Sequence, residues 1–435
     1  MNIFILQVFS IIFAFSIVIF VHEFGHFIVG RFNKIGVVVF SIGFGPKIFS
    51  FYDKHGTEWK LSVIPLGGYV KFLGDESVAS VNFSQTRAEE MYLSKTFVNA
   101  SIFSRIFTVA AGPLANFLFS ILTFSLIIFA NGIASDDPVI GKVNQFYESK
   151  YDLRPGDKIL KVEDRKIAEF KDIFLELSKN NYSSSTFLIE RNGAVKEITL
   201  PYIFQPVVQG IEPLSAASKA NLRVGDVFLS VNGKELTKFD DLRDFVLNSK
   251  GRDLKVIIFR EGKEIKKTIA PALVPFEQKN GSYAEKYRIG VIGGPIFQAE
   301  RITPNIVDTW IMGTRATLSV FIGTIRGIRG IILGQVDPKH LSGPIGVAHA
   351  VSDSVKSGFI SFFTLIAIIS TGIGIVNLLP VPILDGGHIM LLMYEGIMKK
   401  KLGDKFLRFA MILGLFLILF LIMFTTLNDI IRVLL

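Results

Sequence analysis

The apolar positions of this chain fall in long uninterrupted runs rather than in short amphipathic periods. Four stretches, 3–21, 106–134, 358–384 and 409–427, contain no charged side chain. At about 1.5 Å of rise per helical residue, each can cross a hydrocarbon core of about 30 Å. The pattern therefore predicts a polytopic α-helical membrane protein with four transmembrane helices. A fifth run, 306–333, is also apolar but is interrupted by Asp308, Arg315, Arg326 and Arg329, which suits an interfacial or packed helix better than a span. The first run lacks a basic leader and a small-residue cleavage site, so it is expected to stay in the protein as a span.

Between the spans the periodicity changes. Residues 37–44 and 59–72 alternate or run apolar with Gly43, Gly45, Gly67 and Gly68 interspersed, the signature of a β-hairpin, here a membrane-associated one. Further on, sliding the chain against itself by 69 residues aligns Gly141 with Gly210 and Leu153-Arg154 with Leu222-Arg223. The same shift brings Gly156-Asp157 onto Gly225-Asp226, Arg191 onto Arg260 and Gly193 onto Gly262 without a gap. Two tandem small α/β domains follow, too few for a solenoid. The expected organisation is a first span in 1–30, the hairpin region in 31–105 and a second span in 106–134. The repeats occupy 136–203 and 204–273, and a linker with interfacial helices fills 274–357. A third span in 358–384, a cytoplasmic loop in 385–408 and a fourth span in 409–427 complete the chain.

Charge orients this arrangement. The net charge is +9, and nine basic residues (Arg31, Lys34, Lys47, Lys54, Lys60, Lys71, Arg87, Lys95, Arg105) lie between the first two spans. Lys399, Lys400, Lys401, Lys405 and Arg408 lie between the last two. Both connections are expected to be cytoplasmic, with the chain ends and the repeats on the outer side. Contact with an anionic lipid bilayer accounts for the basic excess, and no basic patch interleaved with aromatics points to nucleic acid. The absence of cysteine excludes disulfides and thiolate ligands, so any metal must be held by nitrogen and oxygen.

The sharpest chemical signal is H-E-F-G-H at 22–26, at the end of the first span. Residues four apart share a helix face, so His22 and His26 can reach one ion while Glu23 can deprotonate a water beside it. Ionisable groups within a span cost about 2.5 to 3.5 kcal/mol each on insertion scales, so such a cluster requires a compensating role. A third ligand is offered by N-L-L-P-V-P-I-L-D-G-G-H at 377–388, where Pro380, Pro382 and Gly386-Gly387 break the third span near Asp385. By the charge-derived topology this end reaches the same depth as the histidines. His388 competes with Asp385 for the position. The donor types and a tetrahedral site favour zinc.

These two motifs together resemble the site-2 family of intramembrane zinc proteases. Four spans with tandem domains between the second and third resemble its RseP-type bacterial branch. The runs R-P-G-D-K-I-L-K-V (154–162) and R-V-G-D-V-F-L-S-V-N-G (223–233) are similar to the Gly-Asp turn and following strand of PDZ domains. Such domains capture extended peptide ends at a sheet edge, although the same fold also serves as a spacer or size filter. The resemblance implies His22, His26 and Asp385 as zinc ligands, Glu23 as the catalytic base, and Asn377 as a contact to the substrate backbone or the developing oxyanion. A-G-P-L-A-N-F at 111–117 matches the family's second-span motif, which puts Asn116 either beside the substrate or in a helix-packing cluster. L-S-G-P-I-G at 341–346 matches a further family stretch whose role the sequence does not reveal. The implied substrates are single-span proteins already trimmed outside, such as an anti-sigma factor or remnant signal peptides, in a bacterial inner membrane. The competing class is a non-proteolytic membrane chaperone or scaffold with a structural metal, which would require a fourth protein ligand. A metal transporter would instead require polar groups along a path through the bilayer.

Overall fold

The computed structural model describes residues 3–74, 96–148, 150–179, 184–278, 282–400 and 402–434. Arg87, Lys95 and Lys401, counted above among the basic residues, lie outside the described residues. The chain divides into two compact units. One comprises Met1–Ile127, Trp310–Arg329 and Leu341–Leu435; the other comprises Ile128–Thr309 and Gly330–His340.

The first unit opens with helix α1 (Ile3–Phe32), followed by strands β1 (Val37–Tyr52) and β2 (Glu58–Phe72). The two strands pair antiparallel, but β1 bends where Gly43 and Gly45 take φ of +90° and +86°. Segment 39–42 therefore lies between 58–61 and 68–71, while 47–52 pairs with 58–62 on the far side. The base of this sheet is sealed onto α1 by Phe27, Ile35, Val37, Phe40 and Phe72. Its far half leaves Phe44, Ile48, Phe49, Phe51, Val63 and Ile64 exposed, an apolar patch of the kind that marks an interaction surface. Helix α2 (Ile102–Asn131) comes next and carries Pro113 in its interior.

The second unit holds the internal repeat. It begins with β3 (Ile133–Ala134), β4 (Ile140–Val143) and the short helix α3 (Gln145–Glu148). Then follow β5 (Lys158–Val162), β6 (Arg165–Lys166), α4 (Phe170–Lys179), β7 (Ser184–Arg191) and β8 (Ala194–Pro201). The second repeat consists of β9 (Gly210–Ile211), α5 (Ala216–Lys219), β10 (Val227–Val231), β11 (Lys234–Glu235), α6 (Phe239–Asn248), β12 (Leu254–Arg260) and β13 (Lys263–Ile269). The four-stranded sheets have the equivalent orders β6-β5-β7-β8 and β11-β10-β12-β13. In each, the Asp of the Gly-Asp turn is fully buried and meets an arginine from the strand opposite: Arg191 with Asp157 at 2.6 Å, and Arg260 with Asp226 at 2.6 Å.

Strands β14 (Ala272–Glu277), β15 (Tyr283–Arg288), β16 (Val291–Ile292), β17 (Phe297–Ala299) and β18 (Arg301–Ile302) occupy the segment expected to be the start of a linker. They return to earlier parts of the chain: β16 pairs with β9, β17 with β4 and β18 with β3. Phe297 sits fully buried in the core of the first repeat, which thus draws on residues far beyond its own boundary. The expected limits of 136–203 and 204–273 therefore leave out the strands that pair with β4 and β9, the first strand of each repeat.

Helix α7 (Ile306–Ile332) is the charge-interrupted run, and it is not among the helices apolar enough to span. It packs on α2 where Gly313 faces Ser125 and where Phe321 meets Phe117 edge-on. After a 3-10 turn at Pro338–His340 come α8 (Pro344–Lys356), α9 (Phe359–Asn377), α10 (Asp385–Met398) and α11 (Asp404–Leu434). Asp429 of α11 accepts the Gly346 N–H at 2.7 Å, a carboxylate at the start of α8. Gly343 and Gly346 of the L-S-G-P-I-G stretch leave the room it needs. Among the described residues, four helices are long and apolar enough to cross a membrane, within α1, α2, α9 and α11.

The third span differs from expectation. Helix α9 stops at Asn377 rather than running to 384, because Pro380 and Pro382 cannot continue it. Asp385 is instead the first residue of the separate helix α10, and a helix stands where a loop was expected from 385. Gly386 and Gly387 do not break it. A Cβ at either would lie 2.3 Å from the Leu378 carbonyl oxygen or 2.1 Å from that of Val381, so they let the first turn of α10 press onto the 378–382 link.

Candidate active site

The ligand cluster is built by two elements of the first unit. His22 and His26 project from one face of α1, and Asp385 comes from the start of α10. Both histidines are buried, at 8% and 9% exposure. The two Nε2 atoms are 3.2 Å apart, and they stand 3.2 Å and 3.5 Å from Asp385 Oδ2. These are the dimensions of a metal cage, since ligands bound at about 2.0 to 2.1 Å on a tetrahedron are separated by about 3.3 Å. Asp385 Oδ2 is buried and has no hydrogen-bonding donor of its own, as befits an oxygen reserved for a cation. Among the described residues this is the one group of three or more potential ligands close enough to share an ion. His388, the competing candidate, is not part of it.

Helix α2 supplies the wall behind the histidines. His26 Nδ1 donates to the Thr108 carbonyl at 2.9 Å, and a carbonyl can only accept, so His26 Nε2 keeps its lone pair for a metal. A Cβ at Gly112 would sit 2.2 Å from His26 Nε2, so only glycine lets α2 come this near. Gly25 gives the reciprocal approach, with space for a Cβ only 2.4 Å from the Ala111 oxygen. One turn further, the Asn116 amide nitrogen stands 3.2 Å from His22 Nδ1. Asn116 was expected beside the substrate or in a packing cluster. It is fully buried, and its side chain faces the His22 ring.

Glu23 is half-buried next to the histidines and faces the sheet. A Cβ at Gly68 would stand 3.0 Å from Glu23 Cγ, and the Val70 N–H is directed at the Glu23 carboxylate. The outer edge of segment 68–72 thus passes the carboxylate. Asn377, the last residue of α9, is half-buried with its amide nitrogen 3.4 Å from His22 Nε2.

Two features escaped sequence reasoning. Arg105, at the start of α2, makes a two-pronged ion pair with Glu395 of α10 at 2.9 Å and 3.1 Å, tying to α2 the helix that carries Asp385. Thr108, Gly112, Asn116 and Ser120 form a stripe at four-residue spacing on α2. Such a row of small and polar residues in an apolar helix is a readable sign of a face turned inward.

Residues 10–421 match the family model described as Peptidase family M50. The chain is 29% identical over 457 residues to the regulator of sigma-E protease RseP of Escherichia coli, covering 97% of each chain. It is 31% identical over 425 residues to a protein of Mesorhizobium japonicum named as a zinc metalloprotease, covering 96% of each. A Rickettsia conorii protein named likewise is 30% identical, with 98% of each chain covered. The family is zinc-dependent, and the two imidazoles and one carboxylate suit that ion. The chain belongs to peptidase family M50, the site-2 proteases, and is a bacterial membrane zinc metalloprotease.

Proposed function

We propose that this intramembrane protease hydrolyses peptide bonds within the membrane segments of single-span proteins, with His22, His26 and Asp385 holding the zinc and Glu23 as base. The observation that carries the reading is the set of 3.2, 3.2 and 3.5 Å separations among three ligand atoms, with a carboxylate next in sequence to one of them. Three ligands rather than four leave a position for water, which favours a catalytic site over the closed structural site of a scaffold. When bound, zinc supplies Lewis acidity toward water and the scissile carbonyl. Glu23 takes the proton of the attacking water and returns it to the departing amine, with no covalent intermediate. The amide of Asn377 steadies the substrate backbone or the developing oxyanion.

A bond inside a helix is shielded, because its carbonyl is already hydrogen-bonded. The free edge of segment 68–72 offers an unwound substrate a strand to pair with, next to Glu23. The exposed aromatic and aliphatic side chains of the far half of the hairpin support its lying in contact with lipid. In this reading the active site opens toward the cytoplasmic side, and the two repeats act as PDZ-like domains outside the inner membrane. There they bind peptide ends or exclude untrimmed substrates. An anti-sigma factor or a remnant signal peptide has the required single span.

The test is cleavage of a tagged single-span protein by the purified zinc-loaded enzyme in detergent. Cleavage within the span should disappear in Glu23→Gln and after chelation. Persistent cleavage by Glu23→Gln would remove Glu23 from the mechanism, and a wild type inert on several helix-destabilised substrates would favour the scaffold.

A further inference from the structure

Every imidazole that binds a metal through Nε2 must carry its proton on Nδ1, and that N–H needs an acceptor when it is buried. For His26 the acceptor is the Thr108 carbonyl. For His22 the polar side-chain atom at Nδ1 is the amide of Asn116, 3.2 Å away, in a side chain with no exposure. The amide nitrogen stands at that position here, and the amide oxygen is buried without a partner. Oxygen and nitrogen of an amide have nearly the same shape, and their placement is decided by the hydrogen bonds they must make. A metal-ligating His22 requires the oxygen.

The geometry points to Asn116 as a positioning residue for the metal centre: its amide oxygen accepts the His22 Nδ1 proton, fixing the tautomer and the ring plane that aim Nε2 at the ion. This rests on the zinc site proposed above. The residue is well placed for the task, since its own backbone is immobilised. The Asn116 carbonyl accepts from Ser120 Oγ at 2.9 Å and from Ser370 Oγ at 3.0 Å, so α2 and α9 are tied together at this residue. Ser120 Oγ also reaches the Ala367 carbonyl at 2.8 Å. Helix α2 thus serves both rings from positions two turns apart, one through a main-chain carbonyl and the other through a side-chain amide. An asparagine in the middle of a span would otherwise be costly, and the imidazole gives its amide a partner.

The test measures zinc affinity by chelator competition on the full-length protein in detergent, and the absorption spectrum of its cobalt-substituted form, neither of which needs a substrate. Asn116→Leu should lose about 10- to 100-fold in affinity and shift the cobalt bands, as is usual when a partner of a ligating histidine is removed. Asn116→Asp keeps an oxygen acceptor and should hold zinc at least as tightly as wild type. Ser370→Ala, which touches only the backbone of Asn116, should stay within about twofold. Asn116→Leu with wild-type affinity and an unchanged spectrum would overturn the assignment. If the leucine variant does not fold, the aspartate variant decides: its stronger acceptor must shift the cobalt spectrum, and an unchanged spectrum overturns the assignment equally. A wild type that binds no zinc would instead refute the metal site itself.

Discussion

Replacing Gly112 by alanine tests the close approach of α2 to the histidines with a single methyl group. Its Cβ would stand 2.2 Å from His26 Nε2, 2.6 Å from His26 Cε1 and 2.9 Å from His22 Cε1, whereas ordinary contact begins at 3.4 Å. About 1.2 Å must be found, either by turning the His26 ring or by moving α2, and α2 is held by the Arg105–Glu395 pair and by Ser370 of α9 on the Asn116 carbonyl. Metal–ligand distances tolerate only about 0.2 Å, so a displacement several times larger should remove His26 from the cage. The effect on global stability should be small. Alanine is favoured over glycine in a helix by about 0.8 to 1 kcal/mol, which offsets part of the about 1 to 3 kcal/mol of overpacking. Gly112→Ala should therefore fold, melt within a few degrees of wild type, and bind zinc about 10- to 100-fold more weakly, at least the loss usual when a supporting partner of a ligand is removed. Gly372→Ala, where a Cβ meets nothing within 4 Å on α9, is the matched control and should bind and cleave normally. Zinc content after dialysis against a graded chelator, read with circular dichroism and cleavage of a single-span substrate, gives the answer. A Gly112→Ala protein with wild-type zinc affinity and activity would refute the reasoning.

Other outcomes follow from the two units separately. Arg260→Ala leaves Asp226 buried without its charge partner, which should destabilise the second repeat by about 3 to 5 kcal/mol. Limited proteolysis of the full chain should then cut first within 204–302, and Arg260→Lys should rescue little because the pair uses two guanidinium nitrogens. At the β1–β2 turn, burial acts to raise the pKa of Asp53. Hydrogen bonds from Trp59, the His55 and Thr57 N–H groups and Arg31 outweigh it and hold the carboxyl below its ordinary value. A depressed folded-state pKa lends stability that is present above about pH 4 and lost as pH falls through the folded value. In a Trp310→Phe background, Trp59 emission should change in that acidic range. The transition should be absent in Asp53→Asn, and its persistence there would assign it to another group.

The spans, the histidine pair and the carboxylate were legible in the sequence because each depends on local pattern: uninterrupted apolar length, spacing of four on a helix, and a proline-broken helix end. The separate helix of Asp385 was not, since Gly386 and Gly387 read as breakers until the carbonyls pressed against them are seen. Nor was the part of Asn116, because an asparagine in a span has the same sequence appearance whether it faces a peptide or a ring nitrogen. The hairpin was legible as two strands, but its fold-over into four segments depends on a bend at Gly43 and Gly45 that changes the partner rather than the period. Strands of two or three residues such as β16 and β17 carry no period, so only the long-range pairing reveals them.

That long-range pairing has a consequence in time. The first repeat ends its own sheet at residue 201, yet its β4 waits for β17, which ends at residue 299. With roughly 100 residues still to be made at about 5 to 20 residues per second, a ribosome needs about 5 to 20 s to deliver the missing strand. For that interval β4 is an open edge on a newly made chain, and the unit of duplication is not the unit that becomes stable. Truncation between 270 and 290 should therefore leave both repeats unfinished, and full-length synthesis should protect the first of them only after the second has emerged.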